Sequence, residues 1–174
     1  VSRYHPHSPD FSKDEFPFYW LARVYGVYTL QMEQALKPVG LDIPSWRVLF
    51  ILSERGTRSV SDIALHAVAK LSTVTKTVQR MKAEGLVDTA TSAQDARVTE
   101  VTMTEAGRLA LERGRLATQH IFVRSFEGLT ATQVRKLNES LHQILDNLSP
   151  RHGEAAREAA RPRPAEPEGD ADSD

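Results

Sequence analysis

The sequence predicts a mainly α fold carrying one small β-hairpin, in the order four helices, hairpin, two helices. Three observations predict it. Apolar residues recur at helical spacing in segments separated by Gly, Pro, Ser or Thr. The period changes to two only once, in LVDTAT and VTEVTMT on either side of the polar turn SAQDAR. Both ends of the chain lack any periodicity.

Residues 1–12 hold prolines and histidines and read as a flexible arm. Ser12, with Glu15 three residues on, has the pattern of a capping box for the first helix, and Pro17 falls within its first turn. Leu21, Val24, Tyr25, Tyr28, Met32 and Leu36 form its apolar stripe, and Pro38 and Gly40 stop it. Pro44 and Ser45 open the second helix, with Trp46, Leu49, Phe50 and Leu52 along one face and an end near Gly56. A short third helix runs from Ser61 to Ala67, capped by Ser59 or Ser61. Leu71, Val74, Val78 and Met81 mark the fourth, and Gly85 ends it. After the hairpin, the segment from Thr104 to Gly107 caps a long helix reaching about Phe126, and Thr130 opens the last. That helix carries Val134, Leu137, Leu141, Ile144, Leu145 and Leu148 near heptad spacing. Residues 149–174 mix Ala, Arg, Glu and Pro and cannot bury enough apolar area to offset their ordering entropy, so a disordered acidic tail is expected.

Composition narrows the class. Of 174 residues, 40% are hydrophobic and 26% charged, ordinary for a globular protein, and no apolar run approaches the roughly 18 residues of a membrane span. The first residues lack the layout of a signal peptide, so a cytoplasmic protein without membrane contact is expected. The chain has no cysteine, which removes disulfides, thiolate metal sites and thiol redox sensing. Its net charge of −1 divides unevenly: the tail holds seven acids against four arginines, so residues 1–148 carry +2. Affinity for a polyanion must then come from a local patch.

The fourth helix supplies such a patch. At 100° per residue its four apolar positions fall within an arc of about 80°. Ser72, Lys76, Gln79 and Ala83 lie opposite, flanked by Thr75 and Arg80. Lys and Arg suit guanine, Gln suits adenine, and Ser or Thr suits either. The only acid is Glu84, at the helix end. In the hairpin, Asp95 precedes Arg97 by two residues and can brace it for insertion into a narrow minor groove.

These residues carry a resemblance. The segment SVSDIALHAVAKLSTVTKTVQRMKAEGLVDTATSAQDARVTEVTMTEAG, with STVTKTVQRM, Gly85, Leu86, the Asp95-x-Arg97 tip and the MTEAG helix entry, resembles the core of the MarR family of winged-helix repressors. The likeness covers about residues 15–148. It implies a winged helix-turn-helix lobe (about 42–103) plus a helical dimerisation platform (about 13–37 and 104–148) within one domain, 13–148. It also implies a homodimer on a pseudo-palindromic double-stranded DNA operator, the fourth helix in the major groove and the wing in the minor groove. The DNA-binding residues on this reading are Ser61, Ser72, Thr73, Thr75, Lys76, Gln79, Arg80, Asp95 and Arg97. The wing departs from the family in having few arginines, with Asp88 and Thr89 where bases are common and Ala96 between Asp95 and Arg97.

Family members often release DNA on binding a small molecule between platform and reading lobe. By position, the resemblance places Trp20, Arg23, Tyr28, Trp46 and Arg47 there. Aromatic walls with guanidiniums suit an aromatic carboxylate or its acyl-CoA thioester. The alternative is that these are structural aromatics, with Arg23 and Arg47 paired to Glu33 or Asp42. His5, His7 and Asp10 sit at no convincing metal spacing, so no metal or cofactor is expected. His66, His120, His142 and His152 accompany no nucleophile elbow, and no phosphate-binding loop appears, so no catalytic site is expected. The competing class is a helical protein-interaction scaffold, which DNA binding that falls steeply with salt would exclude.

Overall fold

Pro17 decides where the first helix begins. In the computed structural model, which describes residue 4 and residues 6–149, Lys13–Glu15 form a single 3-10 turn and α1 runs Pro17–Leu36. The capping box expected at Ser12 does not form, since Ser12 makes no side-chain cap hydrogen bond. Proline disfavours helical backbone at the residue before it, and Phe16 is extended, with φ −89° and ψ 113°. The helix therefore restarts at Pro17, a first-turn position where a missing N–H is tolerated. The disorder expected of the tail concerns residues that, from 150 onward, lie outside the described part of the chain, as does His5.

Three helices follow: α2 (Ile43–Arg55), α3 (Val60–Ala67) and α4 (Leu71–Ala83). Asp42 caps α2 by accepting from the Ser45 amide, and Ser59 caps α3 by accepting from the Asp62 amide. Gly85 adopts φ 73° beyond the end of α4. Leu86 N–H then bonds Met81 O while Gly85 N–H bonds Lys82 O, the paired closure of a Schellman motif.

The wing is a three-stranded antiparallel sheet in the order β1–β3–β2, with β1 Arg58–Ser59, β2 Val87–Thr91 and β3 Thr99–Met103. Val87 faces Met103, and Arg58 faces Val101. The hairpin falls where the alternation predicts it. β1 is additional: two residues are too short to show a period.

α5 (Glu105–Ser125) leaves the sheet through Thr104. The Thr104 hydroxyl donates to Gly85 O and accepts from Gly107 N–H. A Cβ at Gly107 would stand 2.1 Å from Leu86 O, so the glycine of MTEAG is required by close approach of α5 to the α4–β2 turn. Met32, Leu36, Leu49, Ile63, Met81, Val87, Val101, Leu111 and Ile121 form one fully buried core. Each large apolar side chain there contributes about 1.5–3 kcal/mol.

Contacts divide the chain after Ser125, and α6 (Ala131–Leu148) belongs to the second unit. Its capping box is complete: Thr130 and Gln133 each accept the other's backbone N–H through their side chains. No residue of α6 is buried, and Leu137, Leu145 and Leu148 of its seam are exposed. No helix among the described residues is long and apolar enough to cross a membrane.

Candidate nucleic-acid interface and ligand cavity

Burial sorts α4 into two faces. Val74, Thr77, Val78 and Met81 are buried, while Ser72, Thr73, Lys76, Gln79, Arg80 and Lys82 are exposed. Eight of the nine residues expected at DNA fall into two grooves, and Asp95 lines neither. Ser72, Thr73, Lys76 and Arg80 line a polar cleft of about 380 Å³ with Asp42, Pro44 and Thr77. Ser61, Thr75, Gln79 and Arg97 line a second groove of about 480 Å³, shared with Lys82 and Thr89.

Within them, side chains differ in freedom. Lys76 and Gln79 make no hydrogen bond to another described residue. Thr75 is half-buried and its hydroxyl donates back to Leu71 O. The Ser61 hydroxyl sits 3.0 Å from that of Ser59. Lys82 Nζ donates to Thr89 Oγ1 at 2.7 Å, tying α4 to β2.

Arg80 is held rather than free. Its Nη2 donates to Asp42 Oδ2 at 2.6 Å and to Ser45 Oγ at 2.9 Å, and its Nε lies 4.0 Å from Glu84 Oε1. Burial alone pushes the Asp42 carboxyl up. The Ser45 amide and hydroxyl and the Arg80 guanidinium outweigh that and hold it below the usual carboxylate range.

At the wing tip, Asp95 Oδ1 accepts the Arg97 backbone N–H at 2.9 Å, and the Arg97 Nε lies 3.6 Å away. The two residues lie in the turn rather than on one face of a strand, so the brace acts mainly through the backbone. The Arg97 side chain is 94% exposed. It projects from the wing with its charge available.

A larger cavity of about 970 Å³ opens among α1, α2, α3 and α5. Tyr25, Tyr28, Trp46, Phe50 and Phe122 supply aromatic walls, and Arg47, His66, Arg115 and Gln119 the polar groups. Trp46 is 5% exposed and lies over Gly114, where a Cβ would approach the ring to 2.5 Å. Arg47 Nη2 donates to the Tyr25 hydroxyl at 3.0 Å, and among the described residues it has no carboxylate within ion-pair distance. Asp42, one of its two possible partners from sequence, is engaged by Arg80. Arg115 pairs with Glu112 and also donates to Ser53 Oγ. His66 Nε2 is 3.5 Å from Asp62. Burial raises the Tyr28 phenol, against the opposing charge of Arg47, so it remains a donor at neutral pH.

Of the five residues expected at a ligand, Tyr28, Trp46 and Arg47 line this cavity. Trp20 and Arg23 line a separate groove with Val24, Val27 and Arg124, which Tyr28 also borders. Their polar atoms are engaged locally, Trp20 Nε1 with Asp14 O and Arg23 with the Tyr19 hydroxyl. Helical geometry separates the two linings: two residues put Arg23 about 160° around α1 from Tyr25, which lines the larger cavity and not this groove. Sequence reasoning missed Arg115, His66, Gln119 and Phe122, which come from α3 and α5. The available signal was Arg115, Gln119 and Phe122 at i, i+4 and i+7, a polar-aromatic stripe on one face of a long helix.

Comparison with known proteins places this geometry. A family profile described as the MarR family matches residues 39–98. The HTH-type transcriptional repressor IacR of Pseudomonas putida is 54% identical over 147 residues, spanning 84% of this chain and 88% of that protein. Among solved structures, a MarR-family transcriptional regulator from Silicibacter pomeroyi matches with TM-score 0.73 at 24% identity, over 81% of this chain and 95% of its own. CouR of Rhodococcus jostii RHA1, solved bound to p-coumaroyl-CoA, matches with TM-score 0.70 at 25% identity, over 76% of this chain and 94% of its own.

Proposed function

Because this chain belongs to the MarR family and is a transcriptional repressor of it, we propose that it binds a pseudo-palindromic operator as a homodimer and releases it on binding a small aromatic acid or the acid's thioester. The observation that carries the effector reading is the cavity: aromatic on most sides, with Arg47 lacking a carboxylate partner among the described residues. A guanidinium takes a carboxylate in a two-pronged contact that an ammonium cannot reproduce. A volume of about 970 Å³ exceeds what a single-ring acid fills, which leaves room for a larger derivative. The likeness to CouR, a protein solved with an acyl-CoA, supports that extension.

DNA is read by Lys76 and Gln79 of α4, with Ser72, Thr73 and Thr75 beside them and Arg97 of the wing in the adjacent minor groove. Lys76 and Gln79 carry no competing intramolecular bond to a described residue, and both line the grooves that flank α4.

The chain has two tryptophans, so Trp20→Phe leaves Trp46 as the sole reporter of the cavity. Aromatic acids titrated into that variant should change its fluorescence saturably. Arg47→Ala should weaken the acid about tenfold or more, the range for a hydrogen bond to a charged group, and should leave the matching neutral amide almost unaffected. Equal loss for acid and amide would remove Arg47 from the carboxylate role. No fluorescence response to any acid that releases DNA would place the effector elsewhere.

A further inference from the structure

We propose that Asp42 and Ser45 are positioning residues for operator binding, holding Arg80 from the start of α2 so that it contacts a DNA phosphate and does not read a base. The inference rests on α4 being the DNA-reading helix. The geometry that carries it is one-sided. Both hydrogens of Arg80 Nη2 are directed inward, to Asp42 Oδ2 at 2.6 Å and Ser45 Oγ at 2.9 Å. Nε faces Glu84 at 4.0 Å. Nη1 makes no hydrogen bond among the described residues, and the guanidinium is about half exposed.

Guanine recognition by arginine uses two parallel donors. With Nη2 occupied and Nε beside a carboxylate, Arg80 offers only Nη1, whose two N–H bonds diverge and do not form the parallel pair, although each can serve a single acceptor. A phosphate oxygen is such an acceptor, and phosphate contacts fix register without carrying sequence information. Arg80 also lines the same cleft as Ser72, Thr73 and Lys76, so a strand seated there meets hydroxyls and an ammonium together. Without Asp42 and Ser45, a long side chain on an exposed helix face must be ordered at the moment of binding. Asp42 is simultaneously the cap of α2, the helix that supplies Ile43, Trp46 and Arg47 to the cavity.

The test uses the full chain, a duplex selected from a randomised pool by the parent protein, and a shuffled duplex of the same composition. Arg80→Ala should weaken both duplexes by a similar factor, about tenfold, and reduce the slope of log K against log salt by about one. Preference at every base pair should be unchanged. Asp42→Asn keeps a capping side chain but removes the charge. In the parent background it should weaken binding, because Arg80 is released. In the Arg80→Ala background it should strengthen binding, because only an acid near phosphates has been removed. Ser45→Ala changes no charge; it should weaken binding in the first background and be neutral in the second. Circular dichroism and thermal midpoints confirm that each variant folds.

The same sign and size of effect for Asp42→Asn in both backgrounds overturns the positioning role. Relaxed preference at one base pair in Arg80→Ala overturns the phosphate assignment. Lys76→Ala and Arg97→Ala serve as reference: if they weaken binding while Arg80→Ala does not, this inference fails alone. If none of the three matters, the DNA-reading face itself is misplaced and the inference falls with it.

Discussion

A single methyl group at residue 114 is enough to test how the cavity floor is built. Trp46 packs against Gly114, and an added Cβ would stand 2.5 Å from one ring carbon and 2.7 Å from the next. The ring is stiff and only 5% exposed, so Gly114→Ala should destabilise by about 1–3 kcal/mol, the cost of overpacking. Denaturant melts measure this, and a shifted Trp46 emission should accompany it. Unchanged stability with unchanged emission would mean that α5 slides freely and that the floor is not rigid. Asp42 permits a second residue-scale prediction. Its carboxyl is depressed in the folded chain. A depressed acid contributes stability that is fully present above the ordinary carboxylate value of about 3.9 and disappears as pH falls through the lower folded value. The thermal midpoint of Asp42→Asn should therefore lie below the parent's at neutral pH and converge with it in acid. Neither residue's role is legible in the sequence. Gly114 is one glycine in a helical run, and the Asp42–Arg80 pair spans 38 positions. Periodicity places residues on faces but not opposite partners from other elements.

At the scale of elements, α4 and the wing were legible because each carries its own signal. An apolar arc opposite a polar face marks a helix that buries one side, and α4 does so. Alternation on either side of SAQDAR marks a hairpin whose tip bears Arg97. The start of α1 was misplaced because Ser12 and Glu15 satisfy the capping pattern, while Pro17 imposes extended backbone on Phe16 and overrides it. β1 was invisible because its two residues pair only through β3. The two signals predict separable effects. Lys76→Ala and Gln79→Ala should each cost about 1–3 kcal/mol and relax preference at one base pair per half-site. Arg97→Ala should weaken binding most on duplexes with A·T-rich flanks, where the narrow minor groove concentrates negative potential. Competition binding against flank variants separates them. A flank-independent loss at Arg97 would assign it to phosphate instead.

At the scale of the whole molecule, the described residues leave apolar surface exposed. Trp20, Val24, Val27 and Leu30 of α1 are exposed, as are Leu109, Leu116 and Val123 of α5, and the α6 seam has no buried member. Exposed apolar faces of this kind mark interfaces, and the proposed homodimer is the occupant assigned to them. Light scattering should give about twice the chain mass, and Leu141→Asp with Leu145→Asp should dissociate or unfold the protein. A well-folded monomer in the unmodified chain would leave these faces unexplained. The proposed effector must also meet a thermodynamic condition. α2 contributes Trp46 and Arg47 to the cavity and, through Asp42 and Ser45, grips Arg80 of α4, so one element touches both the cavity and the helix proposed to read DNA. A ligand that binds equally well to the DNA-bound and released arrangements shifts nothing, however tightly it binds. If the acid weakens DNA by about a hundredfold, the coupling is about 2.7 kcal/mol, and DNA must weaken the acid by the same factor. Titrating acid into the Trp20→Phe protein, free and saturated with the selected duplex, measures one side of that identity, and titrating duplex with and without acid measures the other. Equal factors tie the cavity to the reading head. An effect of acid on DNA affinity with no reciprocal effect on the Trp46 signal would place the regulatory site outside this cavity.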